Sequence, residues 1–213
     1  MHVSAAFSGA ATPHERWRQG MGLLSEERAG EGLALGLSVA DNMTLTRLEP
    51  LGPAFTVVPS RQQAAAARWI DRLGIRCSDP RQTIGELSGG NQQKVAVARL
   101  LHHGVDVLVL DEPTRGIDVA SKAQIYKLID ELVRGDPESV ALHTEGVAQP
   151  DVGRPFQGRQ KAVLLVSSYF PELLGVCDRI AVMSRGRLGP ARPVEEWTEH
   201  SLLMEASGAR AAS

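Results

Sequence analysis

Residues 87–118, LSGGNQQKVAVARLLHHGVDVLVLDEPTRGID, constrain this chain more than any other stretch. They divide into three pieces. A Ser-Gly-Gly turn opens a helix: Ser88 is a favoured N-cap, able to accept a bond from a first-turn amide. Apolar residues at Val95, Ala98 and Leu101, and at Val97 and Leu100, then recur with helical spacing. Residues 105–110 (VDVLVL) are β-branched and apolar, the pattern of a strand buried in a parallel sheet. That strand ends in Asp111-Glu112-Pro113, where proline stops the ladder. A loop with one glycine runs on to Asp118. Helix, buried strand and acids at the strand's carboxyl end together spell an α/β domain.

Each piece also has chemistry. Gly89 and Gly90 leave the helix N-terminus open, and such an end attracts anions through its amides and macrodipole. Taken alone, the Ser-Gly-Gly turn fits a capped surface helix with no ligand at least as well. The strand adds weight, because open α/β sheets bind ligands at the carboxyl ends of their strands. An Asp there can hold Mg²⁺, and a Glu beside it can orient or deprotonate an attacking water. An acid pair after an apolar strand is weak evidence by itself. At this interval after the Ser-Gly-Gly helix it is strong.

LSGGNQQK, VLVLDEPTRGID, VLLVSS and CDRIAVMSRGRL, in that order, resemble the ABC-transporter ATPases. More narrowly they are similar to the second ATPase half of tandem subunits that energise ribose-type sugar importers, as is GMGLLSEERAGEGLALGLSVADNMTL near the start. The resemblance runs over about residues 20–206, apart from one insertion. It implies a partial P-loop NTPase (ABC ATPase) domain with a mostly parallel sheet and a helical subdomain at about 40–100. ATP and Mg²⁺ are the implied cofactors. By resemblance, Ser88 and the amides of Gly89 and Gly90 contact a γ-phosphate held by a second ABC ATPase domain, Gln92 approaches the ribose side, and Asp118 reaches across the interface. Asp111 would hold Mg²⁺ and Glu112 would be the base. Glu26, in Ser25-Glu26-Glu27-Arg28, stands where the family has a metal- and water-sensing loop; a solvated acid cluster explains it equally well. Ser168 stands where most members carry a histidine, and serine offers a hydrogen bond without imidazole's charge.

Phosphate-loop ATPases also need G-x-x-x-x-G-K-[ST]. The four lysines here are Lys94, Lys122, Lys127 and Lys161, and none follows a glycine. Against the family pattern the chain reads as a truncated domain that starts after that loop, so ATPase activity is not expected of it alone. Three readings stay open: an ATPase component of a sugar importer, a non-catalytic partner that presents the Ser-Gly-Gly helix to another ATPase domain, and an ABC protein of repair or translation type. The last is disfavoured by residues 20–48 and 168–190, which follow the sugar-importer pattern, and by a net charge of −2. With no basic surface, nucleic acid is not expected as a partner. The expected partners are a second ATPase domain and a membrane permease subunit. No apolar run nears the roughly 20 residues of a membrane helix, and no hydrophobic signal segment is seen. A soluble, cytoplasmic chain, peripheral at the inner face of the membrane, is the expectation.

The remaining elements are simpler. Residues 1–19 lack periodicity and read as a frayed lead-in, and 207–213 as a tail. Residues 21–24 suit a short strand, 38–45 a capped helix, and 60–73 a helix capped by Ser60. Residues 119–133 form a further helix, with Ile125, Leu128, Ile129 and Leu132 in register. Residues 135–160, with four glycines and three prolines, read as an insertion. A buried strand at 162–166, a short helix at 171–176, a hairpin turn at 184–187 and a terminal helix at 193–206 complete the chain. His102 and His103 lack a third ligand at metal spacing and read as helix-end residues favoured by the dipole. Cys77 and Cys177 make no disulfide framework.

Overall fold

The computed structural model describes residues 11–53, 56–134 and 161–208; the expected insertion lies outside them. A three-stranded sheet runs in the order β1 (Met21–Leu24), β2 (Val107–Asp111), β3 (Ala162–Val166). β1 and β2 are parallel, with Met21 opposite Val107 and Leu24 opposite Leu110. β2 begins two residues later than its apolar run. The reason is local: the amides of Gly104 and Val105 still donate to the Leu100 carbonyl, closing the helix before the strand can start. Gly104 makes that reversal at φ 88, which glycine reaches without a Cβ penalty. Compact units divide within β3, between Leu164 and Leu165.

The first unit carries α1 (Pro13–Arg18), α2 (Val39–Thr44), α3 (Pro59–Leu73), α4 (Gly89–His103) and α5 (Val119–Arg134). α1 falls in the stretch read as a lead-in. It buries no residue and rests on a Thr12–Glu15 capping box, so no apolar period announces it. α2 has the same kind of cap, from Ser38 and Asp41. α3 corrects the expected cap: it starts at Pro59, Ser60 lies inside the first turn, and no side chain caps it. Proline at the first position presets φ and has no amide to satisfy there.

α4 is the central helix. Val95, Ala98 and Leu100 are fully buried, and α4 packs on α2 and on β1. Its end is tied to the loop after α2: the Arg47 guanidinium donates to the His103 carbonyl at 3.1 Å, while the His102 and His103 rings meet the Arg47 and Thr46 carbonyls at 3.1 and 3.0 Å. Burial pushes the His102 pKa below its ordinary value and so favours the neutral ring. For His102, then, docking rather than a charge on the dipole explains the residue.

The sheet has two unlike faces. Leu24, Leu108 and Leu110 are buried on one, whereas Leu23 and Leu164 are 55% and 58% exposed. β3, expected to be buried, alternates between exposed and half-buried residues. An apolar run shows that a strand can be covered and not which face is. Lys161 anchors the start of β3. Its amide donates to the Leu132 carbonyl and its buried ammonium to the Val105 carbonyl, while the Ala162 amide donates to the Asp106 carbonyl.

The second unit contains α6 (Phe170–Val176), the antiparallel pair β4 (Arg179–Ile180) and β7 (Arg192–Pro193), the hairpin β5 (Met183–Ser184) and β6 (Arg187–Leu188), and α7 (Glu199–Ser207). The hairpin turn is the expected one, with Arg185 and Gly186 at φ 49 and 75. Ile180, Val182, Trp197 and Leu202 form the core of this unit against Phe170, Leu173 and Leu174. The Arg192 guanidinium lies 3.7 Å from the Trp197 ring centroid and 2.7 Å from the Glu205 carboxylate. The terminal helix starts at Glu199 rather than 193, because Thr198 and Ser201 make a capping box and residues 194–196 form a 3₁₀ turn. Cys77 and Cys177 are both free; burial pushes the Cys177 thiol up to about 11. Among the described residues, no helix is long and apolar enough to cross a membrane.

Candidate functional site

β2 carries the acids to the carboxyl end of a parallel strand. Leu108 and Leu110 hold the strand from below, and Asp111, its last residue, is half-buried. Glu112 follows at φ 44, a left-handed conformation that costs an L residue on the order of 1–2 kcal/mol. Its carbonyl accepts from the Arg115 amide at 3.1 Å, which closes a turn. Pro113 and Thr114, the central residues of that turn, are buried, and Thr114 Oγ1 lies 3.4 Å from the Tyr126 hydroxyl on α5. A strained acid on a pinned turn is the kind of feature that a functional site retains.

Glu26 lies in the loop after β1, beside the loop after β2, and its carboxylate is ion-paired with the Arg115 guanidinium. Nearby, the Ser25 hydroxyl donates to Glu31 at 2.8 Å and accepts from the Glu27 amide at 3.2 Å. The pair thus joins the loops at the carboxyl ends of two adjacent strands. Both side chains are largely exposed, so the pair contributes less than about 1 kcal/mol to stability. Glu26→Arg and Arg115→Glu should each lower any turnover supported by the acid turn, and the double exchange should recover most of it. Equal loss in all three, measured in one assay, would show that Glu26 acts through something other than Arg115.

The Ser-Gly-Gly turn differs from expectation in one respect. Ser88 occupies the N-cap position with extended backbone, yet its hydroxyl does not cap α4. Its Oγ accepts from the Asn91 side-chain Nδ2 at 2.9 Å, and Asn91 Oδ1 in turn accepts from the Arg76 backbone amide at 2.9 Å. Gln92, expected to face a ribose, donates to the carbonyls of Leu87 and Ile84 at 3.0 and 3.3 Å and braces the turn from within. Gly89 opens α4. Gly90 is buried, and a Cβ placed on it would stand 3.4 Å from the Asp118 carboxylate. The structure therefore brings Gly90 and Asp118 together. Asp118 accepts from the Ser121 amide at 2.9 Å and the Ser121 hydroxyl at 2.7 Å. These bonds, the hydroxyl's first, hold its carboxyl below the usual range.

Ser168 belongs to the second unit and is exposed. Beside it the Ser167 hydroxyl donates to the buried Glu172 carboxylate at 2.5 Å and accepts from the Tyr169 amide at 3.1 Å. Sequence reasoning missed Arg115, Asn91 and Ser121. Only Ser121 had a legible signal, an acid followed at the third residue by serine at a helix start.

For Mg²⁺ the donor chemistry fits: a carboxylate at a strand end is a hard oxygen ligand, and Mg²⁺ commonly takes one or two such groups together with substrate phosphates. Among the described residues no group of three or more His, Cys, Asp and Glu gathers to enclose a metal. For a nucleoside triphosphate the fit is partial, because these 213 residues include no Gly-Lys phosphate loop. Two clefts of 270 and 520 Å³ open elsewhere in the first unit, the former beside Lys94 and Arg72, the latter beside Trp17 and His103, and neither is lined by these residues.

Residues 4–115, just over half of the chain, match the family model described as ABC transporter. The ribose import ATP-binding protein RbsA 3 of Rubrobacter xylanophilus is 39% identical over 198 residues, which is 93% of this chain and 35% of that protein. The arabinose import ATP-binding protein AraG 2 of Burkholderia thailandensis is 42% identical over 179 residues, 84% of this chain and 30% of that protein. The chain thus spans about a third of the length of the curated relatives it matches. A dimeric ATP-binding cassette, MJ0796, solved with ADP and Pi, shares the fold with a TM-score of 0.61 at 18% identity, over 87% of this chain and 68% of that one.

Proposed function

This chain belongs to the ABC transporter family, and from that premise we propose that it forms part of the ATP-binding component of a sugar importer. The single observation that carries this reading is the joined surface of Gly90 and Asp118 beside the Ser-Gly-Gly turn. The proteins named for ribose and arabinose import support the sugar class. In this reading Ser88, the amides of Gly89 and Gly90, and Asp118 face a nucleotide held by a second ATPase domain, while Gln92 supports the turn from within. Asp111 would hold Mg²⁺ for a nucleotide whose phosphates sit at the carboxyl end of β2, and Glu112 would take the proton of the attacking water. Bound Mg²⁺ would neutralise charge on the phosphates. A permease subunit would keep the assembly at the inner face of the membrane.

One observation favours a second reading, in which the chain acts only by presenting its Ser-Gly-Gly helix to another ATPase domain. Its 213 residues hold that helix but no Gly-Lys loop. Calorimetry of the chain alone with MgATP tests the shared premise. Phosphate positioning dominates this chemistry, so binding weaker than about millimolar is expected. Micromolar binding would mean that residues other than a Gly-Lys loop cradle phosphate in this chain, and the second reading would lose the observation that favours it.

A further inference from the structure

The fit between Gly90 and α5 carries an inference beyond that reading. A methyl group on Gly90 would meet Ser121 Oγ at 2.4 Å and Ser121 Cβ at 2.8 Å, closer than real contacts of this kind occur. Gly90 is therefore required by a residue of this same chain, whatever its amide does toward a nucleotide. Ser121 also holds Asp118 through two hydrogen bonds, from its amide and its hydroxyl. One small residue thus touches both N-termini, that of α4 through Gly90 and that of α5 through Asp118.

We propose that Ser121 is a positioning residue that locks Asp118 to the Ser-Gly-Gly turn, so that the starts of α4 and α5 move as one body. The lock is steric on one side and hydrogen-bonded on the other. Its consequence for catalysis rests on the reading above: two elements that face a partner's nucleotide would reach it in fixed register. The lock itself is a property of the chain alone. Lys94, further along α4, also feels the Asp118 charge and is present in every variant compared below.

The test follows the Asp118 carboxyl by carbon-detected NMR titration in the full chain. In the unaltered chain the Ser121 hydrogen bonds are expected to hold its midpoint below the ordinary aspartate range. Ser121→Ala removes the hydroxyl and should raise its midpoint toward that range. Gly90→Ala, on the other helix and with no hydrogen bond to Asp118, should raise it too, because the methyl displaces Ser121. Combined, the two changes should shift the midpoint no further than the larger single change, since both act by breaking one contact. An unchanged midpoint in Gly90→Ala, or shifts that add, would overturn the lock. Should Gly90→Ala not fold, Ser121→Gly in the Gly90→Ala background decides. Recovered folding supports the steric contact, and continued misfolding refutes it. Because no nucleotide or partner enters these measurements, their failure would leave the proposed function standing, and its failure would leave the lock standing.

Discussion

Replacing Glu112 by glutamine is expected to lower MgATP turnover by roughly 10²- to 10⁴-fold in a reconstituted transporter ATPase that contains this chain. That range is what a positioned general base contributes. Glutamine keeps the size and much of the hydrogen bonding of glutamate but cannot take a proton. The turn around it should survive, because that turn is closed by backbone, from the Arg115 amide to the carbonyl of residue 112. Nucleotide affinity should therefore change far less than turnover. The same experiment separates the two readings of the chain. Turnover unaffected by Glu112→Gln, but lost on changing Ser88, would mean that the chain acts only on a nucleotide held elsewhere.

A second large effect is expected in stability. Leu100→Ala should cost about 2–5 kcal/mol, the range for emptying a fully buried leucine site. Leu100 is 0% exposed. Its Cδ2 lies 3.0 Å from where a Gly22 Cβ would stand, so it fills the contact between α4 and β1. Domains are stable by only about 5–15 kcal/mol in total, and a loss of this size should be plain in a urea titration of the chain. Leu23→Ala is the matching control, since Leu23 is 55% exposed on the opposite face of the same strand. It should cost well under half as much. Equal losses at the two positions would show that the Leu23 face is covered in solution.

These two residues also mark the boundary between what can be read from sequence and what cannot. Glu112 was legible because a continuous apolar strand, a proline and a preceding Ser-Gly-Gly helix are all local patterns. Its left-handed backbone was not, since nothing in Asp-Glu-Pro-Thr requires φ 44. Leu100 was legible as a helix-face residue, but its contact with Gly22 joins residues far apart in the chain. The same holds for Ser88. Its type predicts a cap, yet the Asn91 side chain takes its hydroxyl, and a competing partner one helical turn away is not encoded in cap preference. Glu26 shows the converse. Read by resemblance as a metal- or water-sensing residue, it faces Arg115 across two strand ends, and only the parallel pairing of β1 with β2 brings them together.

What the amino-acid sequence determined by itself is the order of elements, the strand that ends in Asp111 and Glu112, and the helix that opens at Ser88. Hydrophobic period, turn chemistry and caps act over a few residues, and a few residues suffice to specify them. The tertiary structure alone decided that Gly90 must be glycine because of Ser121, that Asp118 lies against the Ser-Gly-Gly turn, and that one face of the sheet leaves Leu23 and Leu164 exposed. Each of these depends on how whole helices and strands dock. Docking is set by side chains that meet across tens of residues, where no local period reaches.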